Sequence, residues 1–316
     1  MLPSPELLNG AQTSNLARDI GDAQNAAVAY IDPTMNSSHS TQTIIFVHLP
    51  KCGGTTLNRL IEWEYPLTRV FSIDPSFFRW SYRRLLLWSP SRLSRMMVFQ
   101  GHMPFGLHRL LPQKATYITV LRDPVDRGIS DYYYALSRVV HPQHRIMKRL
   151  TLEQYIRMAP YTNVQTKLLA GQDPGYDFLG GDCTDDTFEL AKENLAARFG
   201  LVGLTERFDE TLALAKIRFG WRIPNYASFN VTRGRPNKKE VPSDICRAIA
   251  ERDYYDMKLY EYATGLFNHA MARDRHRVRE EVEAIARIKK LPRARCYYFR
   301  GLSATRKAVS RLHSYI

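Results

Sequence analysis

The feature that most constrains the fold of this chain is a β-branched run that passes directly into a glycine turn. The segment from Thr43 to His48 reads Thr-Ile-Ile-Phe-Val-His, which is typical of a buried strand. Gly53 and Gly54 mark a tight turn, and the hydroxyl residues that follow suit the first turn of a helix. That helix ends before Pro66, because a residue that precedes proline avoids the α region. The pattern predicts a strand, a turn and a helix in immediate succession.

Three further strand-like runs are separated by segments with helical patterns. The runs cover residues 96–99, 116–121 and 199–204. The helical patterns cover residues 125–140, 152–158, 185–198, 208–219 and 243–263. Strands that alternate with helices predict an α/β fold of three layers, with a short parallel sheet of about four or five strands flanked by helices. Ligands of such sheets bind at the carboxyl ends of the strands, where Lys51, His102 and Arg122 follow the first three runs.

Composition divides the chain into three predicted parts. Residues 1–40 are rich in small and polar side chains, hold a single basic residue, Arg18, and predict a mobile leader. Residues 41–270 form the predicted folded domain. Residues 271–316 form a basic helical tail with 13 Lys or Arg against 4 Asp or Glu.

The net charge is +14, which attracts nucleic acid, acidic polysaccharide, lipid headgroups or nucleotides without distinguishing between them. We expect the tail to aid association with an anionic acceptor or a membrane surface. The alternative is a helix that packs one apolar face through Val278, Val282 and Ile285. Aromatic residues are not interleaved with the tail as in a nucleic-acid module, so no specific nucleic acid is predicted. The segment from Pro75 to Arg122 also holds eight basic residues and no acidic one.

The cysteines and the hydropathy pattern exclude several classes of protein. Four widely spaced cysteines form no metal-ligand pattern, so we expect no metal and reduced thiols. No stretch has the length and apolarity of a transmembrane helix, and the N-terminus lacks the apolar region of a signal peptide. These observations predict a cytoplasmic protein. No oligomeric state is indicated by the sequence.

The turn after the first strand has the residues of an anion-binding loop. A helix N-terminus offers N–H groups and a partial positive charge, and glycines let the backbone approach a phosphate. Lys51 would add a full charge, and Thr55 and Thr56 would add hydroxyl donors. The lysine precedes the glycines, which disfavours a P-loop that hydrolyses nucleoside triphosphates with a metal. The alternative is an ordinary glycine turn.

A second candidate anion site follows the third run. Arg122 is expected to point into the ligand cleft, and the planar guanidinium fork of arginine binds two phosphate oxygens at once. Ser130 would lie two turns into the following helix. The alternative for Arg122 is an ion pair with Asp123 or Asp126.

Together these motifs resemble the sulfotransferases that use 3′-phosphoadenosine 5′-phosphosulfate (PAPS), and within them the carbohydrate branch that includes heparan sulfate and uronyl 2-O-sulfotransferases. The resemblance rests on five motifs in the family order, at residues 48–57, 101–105, 122–134, 163–171 and 201–208. It implies a P-loop-like sulfotransferase fold and transfer of a sulfuryl group from PAPS to a hydroxyl, with release of adenosine 3′,5′-bisphosphate (PAP) and without a metal. The preferred acceptor is a carbohydrate, and both anionic and neutral carbohydrates are compatible with the resemblance.

The resemblance also implies roles for individual residues. The 5′-phosphosulfate would be held by Lys51, Cys52, Gly53, Gly54, Thr55 and Thr56. The 3′-phosphate would be held by Arg122 and Ser130, and a late basic loop with Arg235 and Lys238 would close over the nucleotide. His102 matches the catalytic base, and Lys51 would stabilise the leaving oxygen. Cys52 stands where the family more often has threonine or serine, so its N–H would serve instead of a hydroxyl.

Alternatives accompany this assignment. Other sulfotransferases use a carboxylate base, which here would be Glu62 or Asp74. The eukaryotic carbohydrate enzymes of this resemblance have an N-terminal membrane anchor, and its absence from this sequence favours a bacterial cytoplasmic enzyme. The rival functions are a P-loop-type kinase and a non-enzymatic polyanion-binding protein.

Overall fold

Strand β1 (Thr43–Val47) lies at the centre of a five-stranded parallel sheet in the computed structural model. The structure describes residues 42–73, 78–138, 144–158, 161–171, 179–223 and 234–290. The other strands are β2 (Val70–Ile73), β3 (Val98–Gly101), β4 (Ala115–Leu121) and β5 (Phe199–Leu204). Their order is β2-β3-β1-β4-β5, and every pairing is parallel. The predicted α/β fold with a short parallel sheet flanked by helices is confirmed.

Helices connect the strands and cover the sheet. Those of the described residues are α1 (Gly54–Glu64), α2 (Phe78–Leu87), α3 (Pro90–Leu93), α4 (Pro124–Ser137), α5 (His144–Met147), α6 (Leu152–Met158), α7 (Val164–Ala170), α8 (Asp185–Arg198), α9 (Phe208–Phe219), α10 (Ser243–Arg252), α11 (Tyr254–Arg273) and α12 (Arg275–Lys289). Short 3₁₀ turns occupy residues 67–69, 107–110, 205–207 and 238–240. Among the helices of these ranges, none combines the length and the apolarity needed to cross a bilayer.

The core explains why the strands read as continuous apolar runs. All five residues of β1 are buried, because β1 has a neighbouring strand on each side and is covered on both faces. Parallel pairing also brings all the carboxyl ends to one edge of the sheet. The loop after β1, His102 after β3 and Arg122 after β4 therefore lie on adjacent strands.

Three differences from the sequence prediction have local causes. Edge strand β2 was not predicted, and β3 begins at Val98 rather than at residue 96. The predicted helix 243–263 is two helices, because Asp253 leaves the helical conformation with φ −102° and ψ 41°. The buried carboxylate of Asp253 accepts a hydrogen bond from the N–H of Asn163 at 2.9 Å. Asn163 directly precedes α7, a helix that the sequence pattern did not predict.

The start of the basic tail packs against the domain. Val278 and Ile285 of α12 belong to the main hydrophobic core. Glu281 of the same helix forms an ion pair with Lys216 of α9. The predicted boundary at residue 270 falls within α11. The leader and residues 291–316 lie outside the described residues, so the three-part division and the role of the tail stay predictions.

Candidate active site

The loop after β1 has a left-handed backbone that turns α1 toward the carboxyl edge of the sheet. Lys51 has φ 66° and Gly53 has φ 74°, a region that a side chain disfavours. Gly53 is the N-cap of α1 and offers no side-chain cap, and the first turn of α1 contains no acidic residue. The positive end of the α1 dipole therefore faces the carboxyl edge of the sheet, and no carboxylate in the first turn of α1 neutralises it. Thr55 and Thr56 lie in that turn, half-buried and buried respectively.

Gly54 is required by a close approach of His48. A Cβ built on Gly54 would overlap the His48 imidazole ring, so no other residue fits without displacing that ring. The predicted glycine pair thus serves two needs. Gly53 permits the turn, and Gly54 allows the histidine to lie against the start of α1.

Lys51 lies on an aromatic ring of α4. Its Nζ is 3.3 Å from the ring centroid of Tyr134, the geometry of a cation–π contact. Burial lowers the pKa of Lys51 to about 8, while the negative charge of Asp131 opposes that change and the positive charges of Arg122 and Arg138 add to it. The ammonium group therefore loses its proton far more readily than an exposed lysine does.

Arg122 joins the two predicted anion motifs. Its Nη1 donates to the main-chain carbonyl oxygen of Lys51 at 2.9 Å, and its Nε donates to Oδ2 of Asp126 at 2.9 Å. The ion pair weighed in the sequence analysis is thus present, and the guanidinium also contacts the loop. The charge of Arg122 is placed at the junction of the two motifs.

One face of α4 forms a wall beside this junction. Asp126, Ser130 and Tyr134 follow each other at intervals of four residues, so they lie in one row along the helix. Asp126 pairs with Arg122, and the ring of Tyr134 contacts Lys51. Ser130 is buried in the row between them, and its role as a ligand of the 3′-phosphate stays a prediction.

The late basic loop reaches the N-terminus of α4. Arg235 forms an ion pair with Asp126, and Nζ of Lys238 donates to Oδ2 of Asp123 at 2.8 Å. Burial lowers the pKa of Arg235, and the neighbouring charge of Arg122 adds to this effect. The structure therefore brings the two predicted loop residues to the motif that holds Arg122. Residues 224–233 of the approach to this loop lie outside the described residues.

Gln165 of α7 is a site residue that the sequence analysis did not identify. Its Oε1 accepts from the backbone N–H of Arg122 at 3.0 Å and from Sγ of Cys52 at 3.4 Å. Its Nε2 donates to the carbonyl oxygen of Arg122 at 2.9 Å. One buried amide thus holds both anion motifs, and burial raises the pKa of the Cys52 thiol to about 12.

The position of Gln165 is fixed by a buried carboxylate of α11. Oδ2 of Asp256 accepts from the N–H of Gln165 at 3.1 Å, and Oδ1 accepts from the N–H of Thr166 at 2.7 Å. Nε of Arg127 lies 3.9 Å from the same carboxylate, which itself has no exposed surface. Gln165 and Thr166 belong to the motif at residues 163–171, which was recognised in the sequence without a role for either side chain. Their polar character in a short apolar segment was a further signal, because buried polar groups need partners.

His102 is held by His48, the residue that follows β1, through both its backbone and its ring. Its Nδ1 lies 2.7 Å from the carbonyl oxygen of His48, and the two imidazole rings stack with centroids 4.1 Å apart. Burial lowers the pKa of His48 well below 6.5, and the positive charges of His102 and Lys51 add to this effect. His48 is therefore neutral near neutral pH.

The two predicted substitutes for the base are placed differently. Glu62 is buried in α1 and accepts hydrogen bonds from Arg59 and from Gln100, each at 3.1 Å. Asp74 lies outside the described residues. Within the described ranges, no group of three or more histidine, cysteine, aspartate or glutamate side chains is arranged to hold a metal ion.

Comparison with known proteins identifies the same class of relatives as the motifs. A 216-residue region is 26% identical to galactose-3-O-sulfotransferase 3 of Homo sapiens, covering 63% of this chain and 49% of that protein. Heparan sulfate 2-O-sulfotransferase of Caenorhabditis elegans is 23% identical over 72% of this chain and 79% of its own length. Heparan-sulfate 6-O-sulfotransferase 1 of Cricetulus griseus is 27% identical over 75% of this chain and 70% of its own length.

The predicted resemblance to carbohydrate sulfotransferases is confirmed by these matches, which extend over more than one branch. The chain spans somewhat less than half the length of the galactose-3-O-sulfotransferases that it matches. The model of the galactose-3-O-sulfotransferase family matches residues 7–312. Because this match includes nearly the whole sequence, the chain belongs to the galactose-3-O-sulfotransferase family.

Proposed function

We propose that this protein transfers a sulfuryl group from PAPS to a hydroxyl group of a carbohydrate. The family supports the class of reaction, and the matched relatives are named for sulfation of galactose or heparan sulfate. The relatives differ in the hydroxyl that they modify. The proposal therefore specifies a carbohydrate acceptor and leaves its position of sulfation to experiment.

The observation that carries the proposal is the hydrogen bond from Arg122 to the carbonyl oxygen of Lys51. This contact places the permanent charge of the Arg122 guanidinium next to a glycine loop at the N-terminus of α1. Both features bind anions, so together they suit a ligand that has two separate anionic groups. The loop suits such a ligand, because the first turn of α1 has no acidic residue to repel an anion and its N-cap, Gly53, has no side chain that caps the helix.

The resemblance assigns the 5′-phosphosulfate to residues 51–56 and the 3′-phosphate to Arg122 and Ser130. When bound, PAPS supplies an activated sulfuryl group on a phosphosulfate linkage. Arg235 and Lys238 reach the same region through Asp126 and Asp123, which supports their role in closing over the nucleotide. The two carboxylates hold these basic side chains near the site.

His102 has the geometry of a general base. The carbonyl oxygen of His48 can only accept a hydrogen bond, so Nδ1 of His102 carries a proton. In the neutral ring Nε2 then holds the lone pair, and Nε2 is the atom that would accept the proton of the acceptor hydroxyl. Stacking on His48 fixes the ring plane.

Lys51 would stabilise negative charge on the leaving oxygen. A charged ammonium group is needed for this role, because it offsets charge that develops as the bond to sulfur breaks. The partly buried setting of Lys51 strengthens the interaction, since fewer water molecules compete for it. Its charged form dominates below pH 8 and is lost above it.

Nucleotide binding tests the proposal against its rivals. Calorimetry should show that PAP binds tightly in the presence of a chelator. Magnesium-dependent binding of ATP without binding of PAP would instead identify a kinase, and binding of neither would favour a polyanion-binding protein. A screen of carbohydrate acceptors with labelled PAPS then tests transfer. The cytoplasmic location expected from the sequence is a separate proposal, which cell fractionation tests.

A further inference from the structure

A basic cavity lies at the amino end of the outer strand β2, whereas the candidate active site lies at the carboxyl ends of the strands. Its volume is about 310 Å³, within the range of small-ligand sites. It is lined by residues 67–71, which are the 3₁₀ turn before β2 and the first two residues of that strand. The other lining residues, around α3, are Trp88, Arg92, Arg95 and Met96. Val70 is at the amino end of β2, whereas the active-site loops follow the carboxyl ends. The four residues of β2 separate the two ends by roughly 10 Å.

The cavity has positive charge that no carboxylate of the described residues offsets. Arg69, Arg92 and Arg95 line it, and none of its nine lining residues is acidic. In the ranges that the structure describes, none of these arginines forms an ion pair with an aspartate or glutamate. Other arginines of the chain do, as Arg122 does with Asp126. The guanidinium groups of the cavity are thus available for an anion from outside the protein.

Aromatic packing fixes part of the cavity before any ligand binds. The guanidinium of Arg92 lies over the ring of Trp88, 4.0 Å from its centroid. That ring packs edge-on against Phe71 of β2 with centroids 5.0 Å apart. A cation held against an aromatic face loses less conformational freedom on binding a ligand.

We propose that this cavity binds the sulfate or carboxylate groups of an acidic saccharide and docks an extended acceptor outside the active site. Arginine forks pair with two oxygens of such groups, and the half-buried ring of Trp88 lines the cavity beside them. The inference rests on the proposed function in one respect, namely that the acceptor is a carbohydrate. An acceptor that follows the edge of β2, which among the described residues pairs on one side with β3, would contact both the cavity and the carboxyl ends of the strands.

The test compares two triple variants with the same change of charge. The cavity variant is Arg69→Ala, Arg92→Ala and Arg95→Ala. The control variant is Arg145→Ala, Lys148→Ala and Arg149→Ala, at exposed positions around α5. Binding of a fluorescent, highly sulfated hexasaccharide, of inorganic sulfate and of PAP is measured for each full-length protein. We expect the cavity variant to lose about tenfold or more in hexasaccharide affinity, the control less than threefold, and neither to change in PAP affinity.

Several outcomes would overturn the inference. Equal losses in the two triple variants would show that the saccharide responds only to net charge. Inorganic sulfate binding as tightly as the hexasaccharide would identify a site for a free oxyanion. Arg95→Ala alone, at an exposed position, replaces the triple variant if that protein does not fold, and an unchanged hexasaccharide affinity would then count against the cavity. Failure of the wild type to bind PAP would instead contradict the proposed function, whatever the cavity binds.

Discussion

Nη1 of Arg122 donates to the carbonyl oxygen of Lys51 at 2.9 Å, so the loop after β1 and the motif after β4 are joined by a charged hydrogen bond. Adjacent parallel strands bring the two segments together, and the guanidinium fixes their separation. A ligand that contacts one segment therefore meets a site whose other half is already positioned.

The first prediction concerns PAP binding by this pair. Lys51→Ala and Arg122→Ala should each lose about 2 kcal/mol or more of PAP binding free energy, because each removes a charge from a desolvated phosphate site. Calorimetry measures the loss. Arg157→Ala serves as the control, since Arg157 is exposed and its ion-pair partner among the described residues is Glu153 in α6. Unchanged affinity in both site variants would remove the nucleotide site from this edge of the sheet.

A second prediction concerns the pH dependence of kcat/KM for the donor. Activity should rise with pH on the acid side, because the proposed base must be unprotonated to accept the proton of the hydroxyl. It should fall above pH 8, because Lys51 has a pKa of about 8 and loses its charge there. His102→Ala should lower turnover by roughly 10²–10⁴-fold with little effect on PAP affinity.

Two variants assign the limbs of that profile. Lys51→Arg keeps a charge at high pH, so whatever activity it retains should show no fall near pH 8. Substantial turnover in His102→Ala with an unaltered acid limb would move the base to a carboxylate. The neutral His48 ring does not account for an acid limb near neutral pH.

The third prediction uses Asp131, whose negative charge raises the pKa of Lys51. Asp131→Asn removes that charge, so the pKa of Lys51 falls further and the alkaline limb moves to lower pH. The asparagine oxygen can still accept the hydrogen bond from the Tyr155 hydroxyl, now 2.8 Å from Oδ2. Glu153→Gln changes charge equally at an exposed position and should leave the limb in place. An unmoved limb in Asp131→Asn would mean that another group sets it.

The fourth prediction assigns a positioning role to Gln165. Gln165→Met keeps the approximate volume but leaves the N–H and the carbonyl oxygen of Arg122 without their partner, at a cost of about 1–3 kcal/mol for each buried group. Chemical denaturation should show lower stability, and PAP affinity should fall at a temperature where the protein is fully folded. A loss of stability with normal PAP affinity would make Gln165 a structural residue only.

The fifth prediction tests whether the beginning of the tail belongs to the domain. Ile285→Ala removes a side chain that is 1% exposed in the core, so the free energy of unfolding should fall by about 2–4 kcal/mol. Arg277→Ala, at an exposed position of the same helix, should change it little. An unchanged melting temperature in Ile285→Ala would support a tail that is separable from residue 271 onward.

Local patterns were sufficient for most of the fold. The limits of α6, α8, α9 and β5 agree with the sequence prediction. Residues at the ends contribute to this, since Thr184 caps the start of α8 and Gly220 ends α9 in a left-handed conformation. Strand β2 has only four residues, and α7 has seven, all of them buried. Elements this short show no periodicity, and only the surrounding tertiary structure determines their conformation.

The site could be predicted where its residues are adjacent in sequence to a strand end. Lys51 and Arg122 were found in this way, and their contact with each other follows from parallel pairing. Gln165 could not be found, because its partners are 43 and 113 residues away in the chain. The cation–π contact between Lys51 and Tyr134 depends likewise on how α4 packs beside the loop.

The backbone of Lys51 implies that stability and activity make opposite demands on one residue. A left-handed conformation costs a residue other than glycine or asparagine roughly 1–2 kcal/mol. The lowered pKa adds a second cost, which is complete below pH 8 and fades as the pH rises from there toward 10.5. A bound anion relieves this second cost. Engineering guided by thermal stability alone would therefore tend to replace Lys51, and with it the charge on which we propose that the reaction depends.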